Sequence, residues 1–178
     1  MNILSRYIPI LIFAVFISFG FSISKGIGKK VQKEVGKIFD VTDFDMKSLA
    51  IKATINEQLP TKITTDNFFK VWQQDKMLGY AFVDQAPSKT AKFDYLVIFD
   101  SDLKIINSKV LIYREEYGGE IGSKRWLKQF LGKTGSDRVD TKKNIDAIAG
   151  ATISVRSMTK SMDNLLQTIG ILQAKGEL

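Results

Sequence analysis

The sequence contains no cysteine and no histidine among its 178 residues. The absence of cysteine excludes disulfide frameworks and Cys-ligated iron–sulfur clusters, and with histidine also missing, zinc sites of the Cys/His kind are excluded. The absence of histidine further excludes His-ligated haem and any Ser-His or Cys-His nucleophile. Redox chemistry in this chain would therefore have to reside on an organic cofactor.

The formal charge of +7 favours anionic partners such as nucleic acid, anionic lipid or a phosphate-bearing ligand. The basic residues are spread along the chain and alternate with acids, without repeated aromatic-basic elements. This distribution argues against nucleic-acid binding. A chain of 178 residues is long enough for one ordinary domain with its own core plus an extension.

An apolar run without charge extends from Tyr7 to Ile23. As a helix, it just reaches across a hydrocarbon core of roughly 30 Å. The alternative is a cleaved secretory signal, but the run is long for one and no small-x-small cleavage site follows it. We therefore expect an uncleaved transmembrane anchor over residues 1–24. The lysines after it favour a cytoplasmic domain, whereas the lack of cysteine fits an exported one, so these features leave the side open.

Residues 25–64 are predicted to form leading helices or a helical stalk. Between Gly28 and Leu59 the apolar side chains recur three or four residues apart, which indicates two helical stretches separated by an acidic turn. The remaining residues, 65–178, are expected to form the main domain.

The main domain begins with two predicted β-hairpins. The first covers residues 68–83 and the second residues 93–116, turning near Gln74 and near Ser101 respectively. Alternation within the second hairpin is weak, which predicts strands covered on both faces, or on one face by helices. The fold class is therefore α+β, with an antiparallel sheet packed against helices.

Two further helices are predicted after the hairpins. Ser123 is expected to cap a short helix that runs through Leu131. Apolar spacing predicts a long helix over residues 152–173, with one side directed at the core. Most of that apolar stripe needs no functional explanation.

The long helix begins within the stretch D-A-I-A-G-A-T, in which Thr152 follows Gly150 and Ala151. Backbone N–H groups at a helix start lack intrahelical partners and receive anions such as phosphate well. The two small residues leave room for a bulky ligand near the backbone. From these residues alone, the simpler interpretation is that the Thr152 hydroxyl is an ordinary helix cap.

The stretch from Asp146 to Thr152 resembles the flavinylation motif Asp-x-x-(Ser/Thr)-Gly-Ala-Thr of the FMN-binding domain family. That family occurs in the C subunit of the sodium-pumping NADH:quinone reductase and in the G subunit of the Rnf electron-transport complex. Residues 111–122, L-I-Y-R-E-E-Y-G-G-E-I-G, resemble the strand and Gly-rich loop that lies over the flavin there. Ala149 departs from the motif, because it lacks the hydroxyl of Ser or Thr.

The resemblance implies that FMN is the cofactor and that its phosphate is esterified to the Thr152 oxygen by a separate flavin transferase, using FAD and magnesium. Asp146 would serve transferase recognition or metal-phosphate placement, and Glu116, Gly118 and Gly119 would help to close over the isoalloxazine. Trp126 is either a core aromatic or a flavin-stacking face. The candidate cofactor-binding residues are Thr152, Asp146, Gly150, Ala151, Ser154, Glu116, Gly118, Gly119 and Trp126.

The resemblance further implies a bacterial, membrane-anchored, extracytoplasmic flavoprotein that carries electrons, rather than a stand-alone enzyme. Its partners would be the flavin transferase, membrane redox partners or complex subunits and, through the N-terminal helix, lipid. The alternative is a membrane-tethered binding or assembly subunit that keeps the fold and has lost the covalent flavin. Ala149 favours this alternative, whereas the intact Asp146, Gly150, Ala151 and Thr152 favour the flavoprotein.

Overall fold

A computed structural model describes residues 25–178 of the chain, with side chains from residue 26 onward. Its centre is an antiparallel sheet of five strands, in which each strand pairs with its neighbour in sequence. The strands span Asp45–Ser48 (β1), Phe68–Gln73 (β2), Lys76–Pro87 (β3), Lys92–Asp100 (β4) and Ile105–Ile112 (β5).

Helices precede and follow the sheet in sequence, and one short helix lies between β1 and β2. They span Lys25–Phe39 (α1), Ala53–Asn56 (α2), Lys124–Leu127 (α3) and Thr152–Ala174 (α4), with single 3₁₀ turns at Gly119–Gly122 and Lys128–Phe130. The expected anchor, Tyr7–Ile23, lies outside the described residues. Between residues 25 and 178, no helix has both the length and the apolar character needed to cross a membrane.

Both predicted hairpins are confirmed, and local backbone geometry explains where they turn. Gln74, between β2 and β3, adopts a left-handed φ of 53°. Between β4 and β5, the Asp100 carboxylate accepts hydrogen bonds from the amides of Asp102 (3.0 Å) and Lys104 (2.9 Å). The α+β class, the Ser123 cap and the long C-terminal helix are confirmed as well.

The middle strand β4 is buried on both faces. Phe93, Tyr95, Val97 and Phe99 pack on the side that α4 covers, and Leu96 and Ile98 pack on the side that α1 covers. Each of these side chains is at most 1% exposed. The weak alternation of this strand therefore reflects cover on both faces.

The prediction of a second helix before residue 60 is wrong. Residues 45–48 form the edge strand β1, which pairs with β2, and only the single turn α2 follows. The segment passes around the edge of the sheet, so Phe44 and Met46 contact the α1 side and Leu49 contacts the α4 side. This change of side produces a spacing that imitates a helical repeat.

Helix α1 is fastened to the sheet. Ile27, Val31 and Val35 recur every four residues and are buried against it. At β5, the strand at the other edge of the sheet, the Lys30 ammonium donates to the Leu111 carbonyl at 3.1 Å, and Lys109 pairs with Glu34. The first predicted helix is thus part of the packed structure, while the proposed boundary at residue 64 stays a prediction.

The long connection between α3 and α4 contacts α4 closely at Gly135 and Val139. The Val139 amide donates to the Asp163 carboxylate at 3.0 Å. Farther along α4, Gly135 and Gly170 approach so closely that a Cβ on Gly170 would lie 2.6 Å from the Gly135 carbonyl oxygen. These contacts hold the first part of the segment that leads to Gly150 and Ala151 against the helix.

We predict that Gly170→Ala destabilises the protein by about 1–3 kcal/mol, because the added methyl group meets backbone that cannot yield easily. The matched control is Gly28→Ala in α1, where nothing lies within 4 Å of an added Cβ. That substitution should stabilise by about 0.5–1 kcal/mol, since alanine loses less conformational freedom in a helix. Urea unfolding of the full chain in detergent measures both changes, and an equal gain from both would contradict the close approach.

Candidate functional site

The start of α4 presents unpaired backbone donors. No described side chain caps this helix, and the amides of Thr152, Ile153 and Ser154 have no hydrogen-bond partner in the described part of the chain. Gly150 precedes it with a left-handed φ of 79°, and a Cβ there would meet open space. Thr152 itself is exposed, and its hydroxyl does not cap the helix.

The exposed Thr152 borders an open cleft of about 710 Å³. One wall is the first turn of α4, another is the segment that follows β5, and a third is the turn between β3 and β4. The volume falls within the range of roughly 300–1,000 Å³ that small-molecule sites occupy. The lining residues are Lys89, Thr90, Tyr113, Arg114, Glu115, Glu116, Tyr117, Gly150, Ala151, Thr152, Ile153 and Ser154.

The Tyr113 hydroxyl connects two walls of the cleft. It donates to the Tyr117 carbonyl at 2.9 Å and lies 3.0 Å from the Ser154 hydroxyl. A phenol carries one proton and the carbonyl can only accept, so the Ser154 hydroxyl is the donor in the second contact. Ser154 is 3% exposed. Its hydroxyl is therefore engaged in joining α4 to the loop after β5.

The backbone of Gly118, the first glycine of the pair in that loop, requires a residue without a side chain. It adopts a left-handed φ of 86°, and a Cβ there would lie 2.7 Å from the Tyr113 hydroxyl and 3.4 Å from the Ala151 Cβ. Any side chain at this position would push the loop away from α4. The neighbouring Gly119 is exposed and begins the 3₁₀ turn.

Glu115 attaches the β3–β4 turn to the end of β5. One of its carboxylate oxygens accepts from the Thr90 amide (2.6 Å), the Ser88 hydroxyl (2.7 Å) and the Ala91 amide (3.1 Å). These bonds lower the pKa of Glu115 from its ordinary value of 4.5 to about 2, and the bond from the Thr90 amide has the largest effect. The adjacent Glu116 is exposed and lines the cleft.

Arg114 is committed to an ion pair. Its guanidinium lies 2.5 Å from Asp94 Oδ2 and donates to the Lys92 carbonyl at 2.7 Å. The Asp94 side chain is 2% exposed, and the contact with Oδ2 lacks hydrogen-bond direction, so the attraction there is coulombic. Arg114 thus compensates a buried carboxylate of the sheet.

A second depression, of about 420 Å³, lies on the other side of Thr152. Its lining includes Thr141, Lys142 and Arg156, so two cationic side chains face the region beside the Thr152 hydroxyl. Arg156 follows Thr152 by four residues and therefore lies on the same face of α4. An anionic group held at Thr152 would be close to positive charge as well as to the unpaired amides.

Two of the predicted site residues lie outside the cleft and contact each other. The Trp126 indole is 4% exposed, stacks edge-to-face on Phe130 and donates to the Asp146 carbonyl at 2.8 Å. The structure thus places Trp126 in the core. The Asp146 amide donates to Gln129 at 2.8 Å, while its carboxylate is exposed and has no hydrogen-bond partner among the side chains of residues 26–178 or the backbone they belong to.

Comparison with known proteins identifies the domain that carries this cleft. Residues 90–167 match the profile of the FMN-binding domain. They belong to the FMN-binding domain family. The fold is similar to the crystal structure of Shewanella oneidensis NqrC, with a TM-score of 0.52 and 16% identity over 83% of this chain and 99% of that one. No curated protein sequence matches the chain.

The residues of the FMN-binding domain fit its cofactor. FMN combines a phosphate with a flat, largely apolar ring system, and the cleft offers unpaired amides at one end and apolar side chains at its rim. Of the nine predicted site residues, the cleft contains Glu116, Gly150, Ala151, Thr152 and Ser154. Gly118 supports it through contact with Ala151.

Sequence reasoning did not single out several contributors to this cleft, among them Tyr113, Tyr117 and Glu115. Tyr113 and Tyr117 stand within the quoted Gly-rich stretch, but nothing in the sequence shows that one hydroxyl joins it to α4. The sequence does not distinguish Glu115 from its neighbour Glu116, although a carboxylate next to a strand end is a common acceptor for turn amides. The pairing with residues 88–91 becomes visible only in the folded chain.

We predict that Glu115 stabilises the folded protein in a pH-dependent manner. Because folding lowers its pKa from 4.5 to about 2, the stabilisation is complete above pH 4.5 and is lost as the pH falls towards 2. The difference in unfolding free energy between wild type and Glu115→Gln should therefore narrow over that interval, as measured by urea unfolding at each pH. Glu120→Gln, at an exposed carboxylate without described hydrogen bonds, is the control and should show no such trend.

Proposed function

We propose that the chain is a membrane-anchored, extracytoplasmic electron-transfer subunit whose FMN is linked by a phosphoester to Thr152. The observation that carries this proposal is the position of Thr152, which is exposed in the cleft of an FMN-binding domain beside unpaired helix amides. Bound FMN supplies the redox chemistry, which the side chains present in this chain lack.

The surroundings of Thr152 suit a phosphoester. A phosphodiester keeps one negative charge, which the amides of residues 152–154 and the cations Lys142 and Arg156 would stabilise. During maturation, the Thr152 oxygen forms a bond to the FMN phosphorus of FAD, the bond to the AMP moiety breaks, and the hydroxyl proton is released. The flavin transferase implied by the family would bring FAD and magnesium to this position.

Asp146 is suited to act during that maturation rather than in the finished site. Its backbone is fixed by Trp126 and Gln129, and its carboxylate is exposed. A carboxylate held in this way is a good ligand for magnesium or a good contact for another protein. We assign it to the encounter with the transferase.

The membrane arrangement is proposed from three features. Tyr7–Ile23 is long enough to span the bilayer, and the residues from Lys25 onward, which follow it closely in sequence, are helical. The fold is that of NqrC, which leads us to assign redox subunits of a membrane complex as partners. The lysines after the anchor oppose the extracytoplasmic placement, but the charge rule is a bias that signal-anchors can overcome.

Ala149 supports a second candidate, an assembly or binding subunit without covalent flavin. Ala149 is exposed beside Gly150 and lacks the hydroxyl that the motif places there. In this case the cleft would be retained for contact with another subunit, and the chain would be colourless after exposure to the transferase.

We predict that Thr152→Ala abolishes the flavin that survives denaturation, when the chain is expressed through its export route together with a flavin transferase. The fold should persist, because an exposed side chain without described hydrogen bonds contributes within about 0.5 kcal/mol. Ser154→Ala, which removes the nearest other hydroxyl of the cleft, should keep the covalent flavin. Mass spectrometry of the peptide spanning Asp146 to Arg156 provides the measurement.

Two results of that experiment would refute the assignment. An FMN-sized addition that persists in Thr152→Ala, or one that maps to Ser154, would move the attachment elsewhere. A folded wild-type chain without any flavin would instead favour the assembly subunit.

We predict that a reporter fused to the C-terminus is active only when it is of the kind that functions outside the cytoplasm. The matched control is a second fusion carrying a reporter that functions only inside. Activity of the cytoplasmic reporter alone would exclude the proposed side of the membrane.

A further inference from the structure

Exposed apolar side chains are concentrated at the candidate site. Among the described residues, the large hydrophobic side chains with high exposure are Tyr117 (80%), Ile153 (50%) and Leu131 (45%). Tyr117 and Ile153 line the same cleft, on the loop after β5 and on the first turn of α4. Single exposed apolar residues are ordinary, but two that face one cleft form a surface for an apolar ligand.

The exposure of Tyr117 does not come from a loose loop. Its carbonyl is held by the Tyr113 hydroxyl, which also contacts Ser154. The next residue, Gly118, is packed between Tyr113 and Ala151. The backbone at Tyr117 is thus held through its carbonyl and through the packing of Gly118, while its ring is exposed at the cleft.

A fixed, exposed aromatic ring suits a flat conjugated ligand. Such rings lose little conformational freedom on stacking, and a tyrosine presents an apolar face with a polar tip that can stay in water. Trp126, the other aromatic candidate, is 4% exposed and has its indole N–H engaged, so it cannot present a face to a ligand in the cleft.

We propose, building on the proposed function, that Tyr117 provides the aromatic face against which the isoalloxazine ring of FMN lies. Ile153, next to the attachment residue, provides a second apolar contact in the cleft. Tyr113 acts as a positioning residue, since it holds the Tyr117 backbone without presenting its own hydroxyl to the ligand.

Flavin fluorescence tests this proposal independently of electron-transfer activity. A tyrosine or tryptophan ring in contact with excited FMN quenches emission by donating one electron, which then returns to the ring, so that no net reaction occurs. Phenylalanine and leucine are much harder to oxidise and do not quench in this way. The emission of bound FMN therefore reports whether an oxidisable ring touches it.

The experiment uses the full chain in detergent, loaded with covalent FMN by the transferase. We expect Tyr117→Phe and Tyr117→Leu to raise the emission per bound FMN several-fold, and Tyr117→Trp to keep it quenched. These variants retain the backbone carbonyl that Tyr113 holds, so the loop should stay in place. Leu131→Ala, at an exposed apolar residue outside the cleft, should leave the emission unchanged.

If the chain binds FMN without a covalent bond, titration with free FMN measures the affinity. In that case Tyr117→Leu should weaken binding about tenfold relative to wild type. Unchanged emission and unchanged binding in Tyr117→Phe and Tyr117→Leu would overturn this proposal alone, and would leave the tyrosine as a contact for a protein partner. A chain that neither carries nor takes up FMN would overturn it together with the proposed function.

Discussion

The burial of strand β4 on both faces is the constraint on which this structure depends. A strand whose side chains are apolar in both directions needs cover on both sides of its sheet, and α4 and α1 supply it. Because α4 must lie along one face, its first turn is brought to the end of β5. The cleft forms at that meeting point, from elements that the core already holds in place.

The architecture was largely predictable because its signals are local. Turn residues and strand-forming runs mark both hairpins, and the apolar stripe of α4 repeats over many turns. The prediction failed between residues 43 and 59, where the chain passes around a sheet edge. Its apolar residues there serve two cores in succession, and no local spacing rule distinguishes that arrangement from an amphipathic helix.

The site was predictable where it depends on a motif and not where it depends on contacts across the chain. Thr152, Gly150 and Ala151 were found from their order in the sequence, and the cleft contains them. The contact between Tyr113 and Ser154 joins residues 41 positions apart, so the local spacing of residues cannot predict it. Trp126 illustrates the reverse case, since an aromatic residue near a motif was free to serve the core instead.

The docking of α1 has a mechanical consequence for electron transfer. A carrier domain on a long flexible tether can swing between distant partners, and its rate depends on how often it arrives. Here α1 packs onto the sheet through Ile27, Val31 and Val35, so the residues that follow the proposed anchor belong to the domain and do not form a long tether. In the proposed membrane arrangement, the flavin would therefore stay close to the bilayer, and its redox partners would have to bring their own cofactors to it.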